Sequence, residues 1–318
     1  MAATLEAARA SLARLPSPQL RESLPVPRGY SLALSFNHVG MGRADPTQQV
    51  RGVEGALALQ GPDGPLSIAA LQEADHLDVF VWGADSEWIR PRLPALFGLL
   101  DRPFAFQPDA PSLRRLARRY AGLHLTRLPR LSTRLMQIVM LQLISWRDAT
   151  RAWRRFISAH GVAAPGITVL RAPPRMSTVA RLSPEAFVAC GLTHAQGRAI
   201  INIAAHERLV ERQSAQAPGA AVAALTGLHG IGPWSANYLL GTACGFADAQ
   251  LLGDFGLPHS VAWTLTGAPR ADDAQMLELL EPYRPHRFRI VRWIWASAIH
   301  APRRGPRMAP NATGRPVV

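Results

Sequence analysis

Asp254 is the acidic side chain whose place in the sequence best suits catalysis. It lies in the segment Leu-Leu-Gly-Asp-Phe-Gly-Leu at 251–257, where the pattern predicts the start of a helix. The partial positive charge of a helix N-terminus keeps a carboxylate ionised. An ionised carboxylate can stabilise positive charge that develops as a bond to carbon breaks, and it can orient or deprotonate an attacking water molecule. The alternative role, capping the helix, is among the commonest for aspartate.

A glycine-rich turn between two predicted helices lies upstream of this carboxylate, over residues 226–238. Gly230 and Gly232 bracket one apolar residue, and Pro233 suits the first position of the second helix. Unpaired N–H groups at a helix N-terminus bind phosphate, and phosphate contacts carry no information about base sequence. The alternative is a plain corner between two helices. The residues that we expect to contact phosphate are Gly230, Gly232, Pro233, Trp234 and Ser235.

The charge of the chain points to a polyanionic partner. Its 318 residues include 35 arginines, no lysine and 22 acidic residues, which gives a formal net charge of +13. Coding bias explains arginine in place of lysine, but it does not explain the excess of basic residues. The absence of lysine excludes Schiff-base chemistry, a pyridoxal linkage and a Walker-type phosphate loop. One cluster of arginines spans residues 114–134. A second is expected to form a basic face on one helix, and the alternative is an ordinary solvated face that binds nothing: Arg147, Arg151, Arg154 and Arg155.

Other classes of protein are excluded by simple counts. The two cysteines, Cys190 and Cys244, are too few to ligate an iron–sulfur cluster, and they suit a reducing compartment. No stretch approaches the roughly 18 apolar residues that a membrane span requires. The first residues lack the apolar core of a signal peptide. We therefore expect a cytoplasmic protein, at the nucleoid, that has no contact with a membrane.

The periodicity predicts a mainly α protein with a small α/β domain near the N-terminus. Residues 1–27 are expected to form an N-terminal extension, and residues 28–110 a small domain with an antiparallel sheet. Alternation predicts strands at 30–36, 56–60, 66–71 and 77–82, and Asp85 is expected to cap a helix that reaches residue 100. Residues 111–300 are expected to form an all-helical core of two lobes, and residues 301–318 a basic disordered tail.

The motifs resemble those of a known superfamily. The string Leu-x-Gly-Ile-Gly-Pro-Trp-Ser-Ala matches a helix–hairpin–helix at 225–245, and Asp254 follows it at a helix start. Together they resemble the helix–hairpin–helix DNA glycosylases that have a Gly/Pro-rich loop and an aspartate. Within that superfamily, residues 28–300 resemble bacterial 3-methyladenine DNA glycosylase II, the alkylbase DNA glycosylase family. Supporting similarities lie at 141–145, 191–199 and 283–287.

The resemblance implies a role for each matching residue. Asp254 would be the catalytic aspartate, and Trp234 and Tyr238, one helical turn apart, would line the pocket for the base. Trp295 would form the other aromatic wall, although it could pack in the core and leave Trp293 exposed. Gln142 would contact the substrate. Leu143, the next residue, would fill the gap that a flipped base leaves in the duplex; the alternative is that Leu143 packs in the core.

The resemblance also bears on ligands and partners. No cofactor is required, but the backbone carbonyls of Thr226, Leu228 and Gly230 could hold a monovalent cation, Na⁺ or K⁺, that bridges to a phosphate. The expected partner is double-stranded DNA that contains alkylated bases, and the protein is expected to be a monomer. Alkylated purines such as 3-methyladenine and 7-methylguanine are cationic, and aromatic faces attract cations.

The missing lysine decides the expected reaction. Members of the superfamily with lyase activity use a lysine just after the hairpin, where this chain has Pro233, Trp234 and Ser235. We therefore expect a monofunctional glycosylase that hydrolyses the glycosidic bond and leaves an abasic site, the first step of base excision repair. Two alternatives stay open: a catalytically inactive DNA-binding protein, and a glycosylase for deaminated or oxidised bases.

Overall fold

The N-terminal part of the chain folds around one antiparallel sheet. A computed structural model describes residues 2–102, 108 and 110–302. Five strands pair in the order β1-β5-β4-β3-β2, and every neighbouring pair is antiparallel, so the predicted small sheet is confirmed. The strands are β1 (Leu20–Pro25), β2 (Gln48–Arg51), β3 (Glu54–Gln60), β4 (Pro65–Gln72) and β5 (His76–Trp82).

Two expectations for this region are wrong. Residues 20–25 lie inside the expected extension, but they form the edge strand β1 and pair with β5, so the sheet begins before residue 28. Residues 30–36 do not form a strand; they contain the short helix α2 (Leu32–Phe36). The hydroxyl of Ser31 accepts the N–H of Leu34 at 3.3 Å, which caps this helix and competes with extended backbone.

The helix expected over residues 85–100 is broken into short pieces, α3 (Ser86–Ile89) and α4 (Leu93–Leu96). A 3-10 turn at Arg90–Arg92 lies between them. Pro91 lies near the start of this turn and Pro94 near the start of α4. The helix breaks at these residues because proline has no N–H to donate to the preceding turn. Asp85 occupies the N-cap position, but its side chain makes no hydrogen bond to the helix. Its carboxylate instead accepts the N–H groups of Asp63 (3.0 Å) and Gly64 (2.9 Å), which closes the β3–β4 turn.

Most of the remaining chain is helical. A two-stranded sheet of β6 (Val162–Ala163) and β7 (Arg171–Ala172) interrupts it, so the expected all-helical core is wrong at this point. The N-terminal helix is α1 (Ala2–Ala13). The later helices are α5 (Pro111–Arg119), α6 (Leu131–Leu141), α7 (Trp146–His160), α8 (Met176–Val179), α9 (Pro184–Ala189), α10 (His194–Ala205), α11 (Glu207–Arg212), α12 (Pro218–Thr226), α13 (Pro233–Ala243), α14 (Leu257–Thr266), α15 (Asp273–Leu280) and α16 (Arg287–Ser297).

Two apolar cores stabilise this helical region. One contains buried residues of α6, α7 and α10, with Trp153 and Phe156 among the largest. The other brings α5, α14, α15 and α16 together around Phe288. Trp234 and Tyr238 on α13 are half-buried and pack against both cores. The aromatic side chains of α13 therefore lie at the junction of the two cores.

A buried ion pair joins the end of the N-terminal region to α16. Arg289 is 2% exposed, and its two terminal nitrogens donate to the two carboxylate oxygens of Asp101, each at 2.8 Å. The N–H of Leu125 donates to the same carboxylate at 2.9 Å. Burial alone would raise the pKa of Asp101, but the hydrogen bonds and charge of Arg289 hold it below its ordinary value. The pair fixes the helix that carries Trp295.

Part of the chain lies outside this description. The last described residue is Pro302, so the basic tail expected at 301–318 lies outside the described residues except for its first two. Residues 103–107 and 109 lie outside as well. Within the described ranges, no helix is long and apolar enough to cross a membrane.

Candidate active site and DNA-binding hairpin

Asp254 lies just before α14 and receives three hydrogen bonds. Its Oδ1 accepts the N–H groups of Gly256 (3.0 Å) and Leu257 (2.9 Å), and its Oδ2 accepts the indole N–H of Trp234 (3.1 Å). The helix begins three residues later than expected, at Leu257. The carboxylate still accepts hydrogen bonds from the first N–H groups of the helix. It therefore caps the helix and also contacts the indole of Trp234. The side chain is half-buried.

The three aromatic residues expected to contact a base lie together. The rings of Trp234 and Tyr238 are 5.0 Å apart, and Tyr238 stacks on Trp295 with 5.5 Å between centroids and 30° between planes. We call these three residues the aromatic cluster. Trp295 is half-buried, whereas Trp293 is 4% exposed and packs in the second core, so the core-packing alternative applies to Trp293.

Leu143 projects from the turn between α6 and α7. Its side chain is 98% exposed, so the alternative of a core leucine is wrong. Its backbone has a φ of 59°, in the left-handed region where a non-glycine residue costs about 1–2 kcal/mol. An apolar side chain that is fully exposed on strained backbone is typical of a functional position.

Gln142 links this turn to the hairpin. Its Nε2 donates to the carbonyl of Gly230 at 3.2 Å and to the hydroxyl of Ser235 at 2.9 Å. Its own carbonyl accepts the side-chain amide of Gln196 at 2.9 Å. Gln142 therefore holds the position of Leu143 relative to the hairpin. Gln196 is a further positioning residue, and its sequence signal is the capping box with Thr193 that begins α10.

The hairpin has the geometry that its glycines predict. Gly230 has a φ of 82°, and Gly232 is the extended N-cap residue of α13, with no side-chain cap for the N–H groups of the first turn. Gly232 and Pro233 are exposed, as a phosphate contact requires. Ser235 is only 1% exposed, so its side chain faces Gln142 and can offer at most its backbone to DNA.

Replacing Gly230 by alanine is expected to weaken both folding and DNA binding. The new Cβ would lie 2.5 Å from the Cβ of Ala199, on backbone that disfavours side chains. We expect a loss of about 2–4 kcal/mol in the free energy of unfolding, measured by urea denaturation, and weaker DNA binding measured by fluorescence anisotropy. Gly219→Ala is the control, because its Cβ would meet no atom within 4 Å. Equal stability of the two variants would contradict the prediction.

The three backbone carbonyls proposed for a cation have the right chemical type, since hard oxygen donors suit Na⁺ and K⁺. Two of them already accept hydrogen bonds: Leu228 from the N–H of Ile231 at 3.1 Å, and Gly230 from Gln142 at 3.2 Å. Each carbonyl has a second lone pair, so the residues fit a cation.

Two buried arginines lie behind the aromatic cluster, and the sequence pattern does not single them out. Arg134 on α6 and Arg292 on α16 are 4% and 6% exposed. The guanidinium carbon of Arg134 is 5.8 Å from the ring centre of Tyr238. Burial raises the pKa of Tyr238, against the opposing effect of both arginines. Arg134 is therefore not part of the surface cluster expected at 114–134; its sequence signal is an arginine within a strongly apolar helix.

The expected basic face of α7 is largely open to solvent. Arg147, Arg154 and Arg155 are exposed, while Arg151 pairs with Asp148 at 3.4 Å. This helix begins three residues after Leu143, and Arg147 lies in its first turn.

Comparisons with known proteins agree with this geometry. No protein-family model matches the chain. Among curated proteins, the chain is similar to DNA-3-methyladenine glycosylase of Bacillus subtilis (strain 168), with 27% identity over 195 residues, or 58% of this chain. The match spans 63% of that protein's length, less than two thirds of it.

Solved structures share the fold over most of the chain. The 3-methyladenine DNA glycosylase from Archaeoglobus fulgidus superposes with a TM-score of 0.75 at 18% identity and covers 86% of this chain and 97% of its own. The 8-oxoguanine glycosylase/lyase of Clostridium acetobutylicum, in complex with double-stranded DNA, gives 0.64 at 11% identity, with 89% and 98% covered. The fold is that of the helix–hairpin–helix DNA glycosylases. The more specific resemblance, to 3-methyladenine DNA glycosylases, is confirmed by the names of the curated relative and the first structure.

Proposed function

We propose that this protein is a DNA glycosylase that flips alkylated purines out of double-stranded DNA and removes them by hydrolysis. The observation that carries the proposal is the carboxylate of Asp254, which is hydrogen-bonded to Trp234 of the aromatic cluster, on the helix that begins at the glycine hairpin. A carboxylate, an aromatic surface for a base and backbone N–H groups for phosphate are the three parts that base excision requires.

The proposed reaction breaks the bond between C1′ of the deoxyribose and N9 of the purine. The electron pair of that bond leaves with the base, and positive charge develops on the sugar, where the Asp254 carboxylate stabilises it. A water oxygen then bonds to C1′, and Asp254 accepts the proton that the water loses. The products are the free base and an abasic site. The phosphate bonds of the strand stay intact.

The remaining residues prepare the substrate for this step. The N–H groups of the hairpin and of the first turn of α13 would hold the DNA backbone, whatever the base sequence. Leu143 would enter the space left by the flipped base. The exposed arginines of α7 would add phosphate contacts, each contributing about one unit to the salt dependence of binding. A monovalent cation on the carbonyls of Thr226, Leu228 and Gly230 would add positive charge near a phosphate.

Alkylated purines fit this arrangement for two reasons. A methyl group on N3 or N7 gives the purine a positive charge, and electron-rich rings such as Trp234 attract cations. The same charge makes the base a better leaving group, so one carboxylate supplies enough chemistry. The test of the proposed activity is to incubate methylated duplex DNA with the protein and to identify the released bases by chromatography. Release of 3-methyladenine or 7-methylguanine supports the proposal; no release by DNA-binding protein favours the inactive alternative.

We propose hydrolysis without lyase activity because the chain has no lysine to attack C1′. Borohydride should therefore trap no covalent complex through a side chain of this protein. A trapped complex that survives blocking of the terminal amine would contradict the proposal. We propose that the protein acts as a monomer in the cytoplasm, at the nucleoid.

Leu143→Ala is expected to slow base release from duplex DNA by about 10-fold, because the flipped state loses the side chain that fills the gap. Release from single-stranded DNA should change little, since no stacked gap has to be filled. The melting temperature should not change, because the side chain is 98% exposed. Val169→Ala, at a position that is 69% exposed, is the control. An equal loss on single and double strands would contradict the wedge role.

A further inference from the structure

Arg134 and Arg292 place two buried positive charges next to Tyr238. Arg292 lies on the same helix as Trp295, one turn before it, and Trp295 stacks on Tyr238. Arg134 approaches the Tyr238 ring from α6, with its guanidinium carbon 5.8 Å from the ring centre. The aromatic cluster therefore has cationic side chains directly behind it.

Neither charge has a carboxylate partner among the described residues. Arg134 donates to two neutral oxygens, those of Thr242 (3.3 Å) and Gln137 (3.1 Å). Asp45 is the carboxylate whose charge acts on Arg134, but it is occupied by hydrogen bonds from the N–H of Met41, the N–H and hydroxyl of Thr47, and the indole of Trp153.

Arg292 is the less satisfied of the two. Its Nε is buried and has no hydrogen-bond partner in the described part of the chain. Burial lowers the pKa of Arg292 to about 10, so the side chain is still charged at neutral pH. The pKa of His38 is held well below its ordinary value, first by burial and then by the charges of Arg292 and Arg134. The region behind the aromatic cluster is therefore strongly positive.

An unpaired buried charge destabilises a fold, and an apolar side chain of similar volume is often as stable or more stable. Buried polar atoms without partners concentrate at functional sites, where a ligand completes them. The aromatic cluster is the adjoining site, and the proposed ligand of that site is a base. The effect of the two charges must then depend on the charge of the departing base.

Resting on the proposed function, we infer that Arg292, assisted by Arg134, sets how fast neutral purines are released relative to cationic ones, because the two arginines stabilise the negative charge that develops on a neutral departing base. When C1′–N9 breaks in a neutral purine, the electron pair makes the leaving base an anion, spread over its ring nitrogens and any carbonyl oxygen. A nearby guanidinium in a site with little water lowers the energy of that anion. The anion then takes up the proton that the attacking water released.

A cationic purine gains nothing from the same charges. Its glycosidic electron pair neutralises the ring as the base departs, so no anion forms. Two guanidinium groups behind Tyr238 also oppose a cation on that ring. The arginines should therefore affect the two kinds of substrate differently, which separates an electrostatic role from a structural one.

The test compares Arg292→Met with wild type on two duplexes of identical flanking sequence, each with cytosine opposite the lesion. One duplex contains hypoxanthine, a neutral purine with a carbonyl, and the other contains 7-methylguanine, a cation. Single-turnover release of hypoxanthine should fall by about 10- to 100-fold in the variant, while release of 7-methylguanine changes by less than about 3-fold. The melting temperature should be unchanged or higher. Arg134→Met should shift the same ratio in the same direction.

Arg208→Met is the matched control, because Arg208 is an exposed arginine on α11 that is not among the proposed phosphate contacts. It should leave both rates unchanged. The inference is overturned if Arg292→Met and Arg134→Met lower both rates equally, or if wild type releases 7-methylguanine and no hypoxanthine. Wild type that binds DNA and releases neither base overturns the proposed function itself, so the two failures are distinguishable.

Discussion

Asp254→Asn is expected to lower single-turnover release of 7-methylguanine by about 10²–10³-fold, while DNA binding stays within a few-fold of wild type. The substitution keeps the size of the side chain and removes its charge. The amide oxygen can still accept the N–H groups of Gly256 and Leu257, so the start of α14 should hold. Three things are lost: the negative charge that stabilises the sugar as the glycosidic bond breaks, the group that accepts the proton of water, and the acceptor for the indole N–H of Trp234.

The control for this experiment is Asp272→Asn. Asp272 is an exposed aspartate that caps α15, and asparagine caps a helix equally well. It should retain wild-type release. Release by Asp254→Asn at the wild-type rate would remove the assigned role from Asp254, even if wild type proves to be an active glycosylase. Loss of DNA binding by Asp254→Asn would instead indicate that its hydrogen bonds to the α14 turn matter more than its charge.

Asp101→Asn is expected to lower the free energy of unfolding by about 3–5 kcal/mol, because it leaves the buried guanidinium of Arg289 without its counter-charge. Arg289 is 2% exposed and donates two hydrogen bonds to this carboxylate. Urea denaturation measures the change. The exposed pair of Glu87 and Arg90 supplies the control: Glu87→Gln should have an effect near zero.

A double substitution distinguishes the pair from simple loss of packing. Asp101→Asn with Arg289→Met removes both charges and should recover much of the stability lost by Asp101→Asn alone. A double variant that is less stable than Asp101→Asn would show that the pair contributes mainly through its shape.

The same pair has a defined pH dependence. The pKa of Asp101 is lower in the folded protein than in the unfolded chain, so the folded state favours its charged form. Its contribution to stability is therefore fully present above the unfolded-state pKa and is lost as the pH falls through the folded-state pKa. The acid limb of a stability–pH curve should be shallower in Asp101→Asn than in wild type. Parallel acid limbs would contradict this assignment.

Some parts of the fold follow from short stretches of sequence. The β3–β4 hairpin follows from Gly61-Pro62-Asp63-Gly64 between two apolar runs, and α7 follows from the capping pattern of Ser145 and Asp148, whose N–H bonds the serine hydroxyl at 3.2 Å. Both signals act within a few residues. The same local reasoning is wrong at 30–36, because alternation of apolar residues also suits a short capped helix whose buried side chains are one turn apart.

The sequence by itself determined the chemistry-bearing core of the site. Gly230 and Gly232 shape the hairpin through backbone freedom, Trp234 and Tyr238 are one turn apart on α13, and Asp254 lies at the next helix start; these relations depend on neighbours in the chain. The absence of lysine, too, is a property of composition and needs no coordinates.

Only the tertiary structure decided which side chains surround that core. Leu143 could have been a core leucine, and Trp293 could have been the exposed tryptophan, since periodicity shows which face is apolar and not what covers it. The bond from Gln142 to the hairpin and the two buried arginines depend on helices that meet across long stretches of chain. Arg134 in particular falls within the basic cluster expected at 114–134, although it is buried in the fold. The packing of α6 and α16 around α13 buries both arginines. The same packing places their positive charges behind the aromatic cluster.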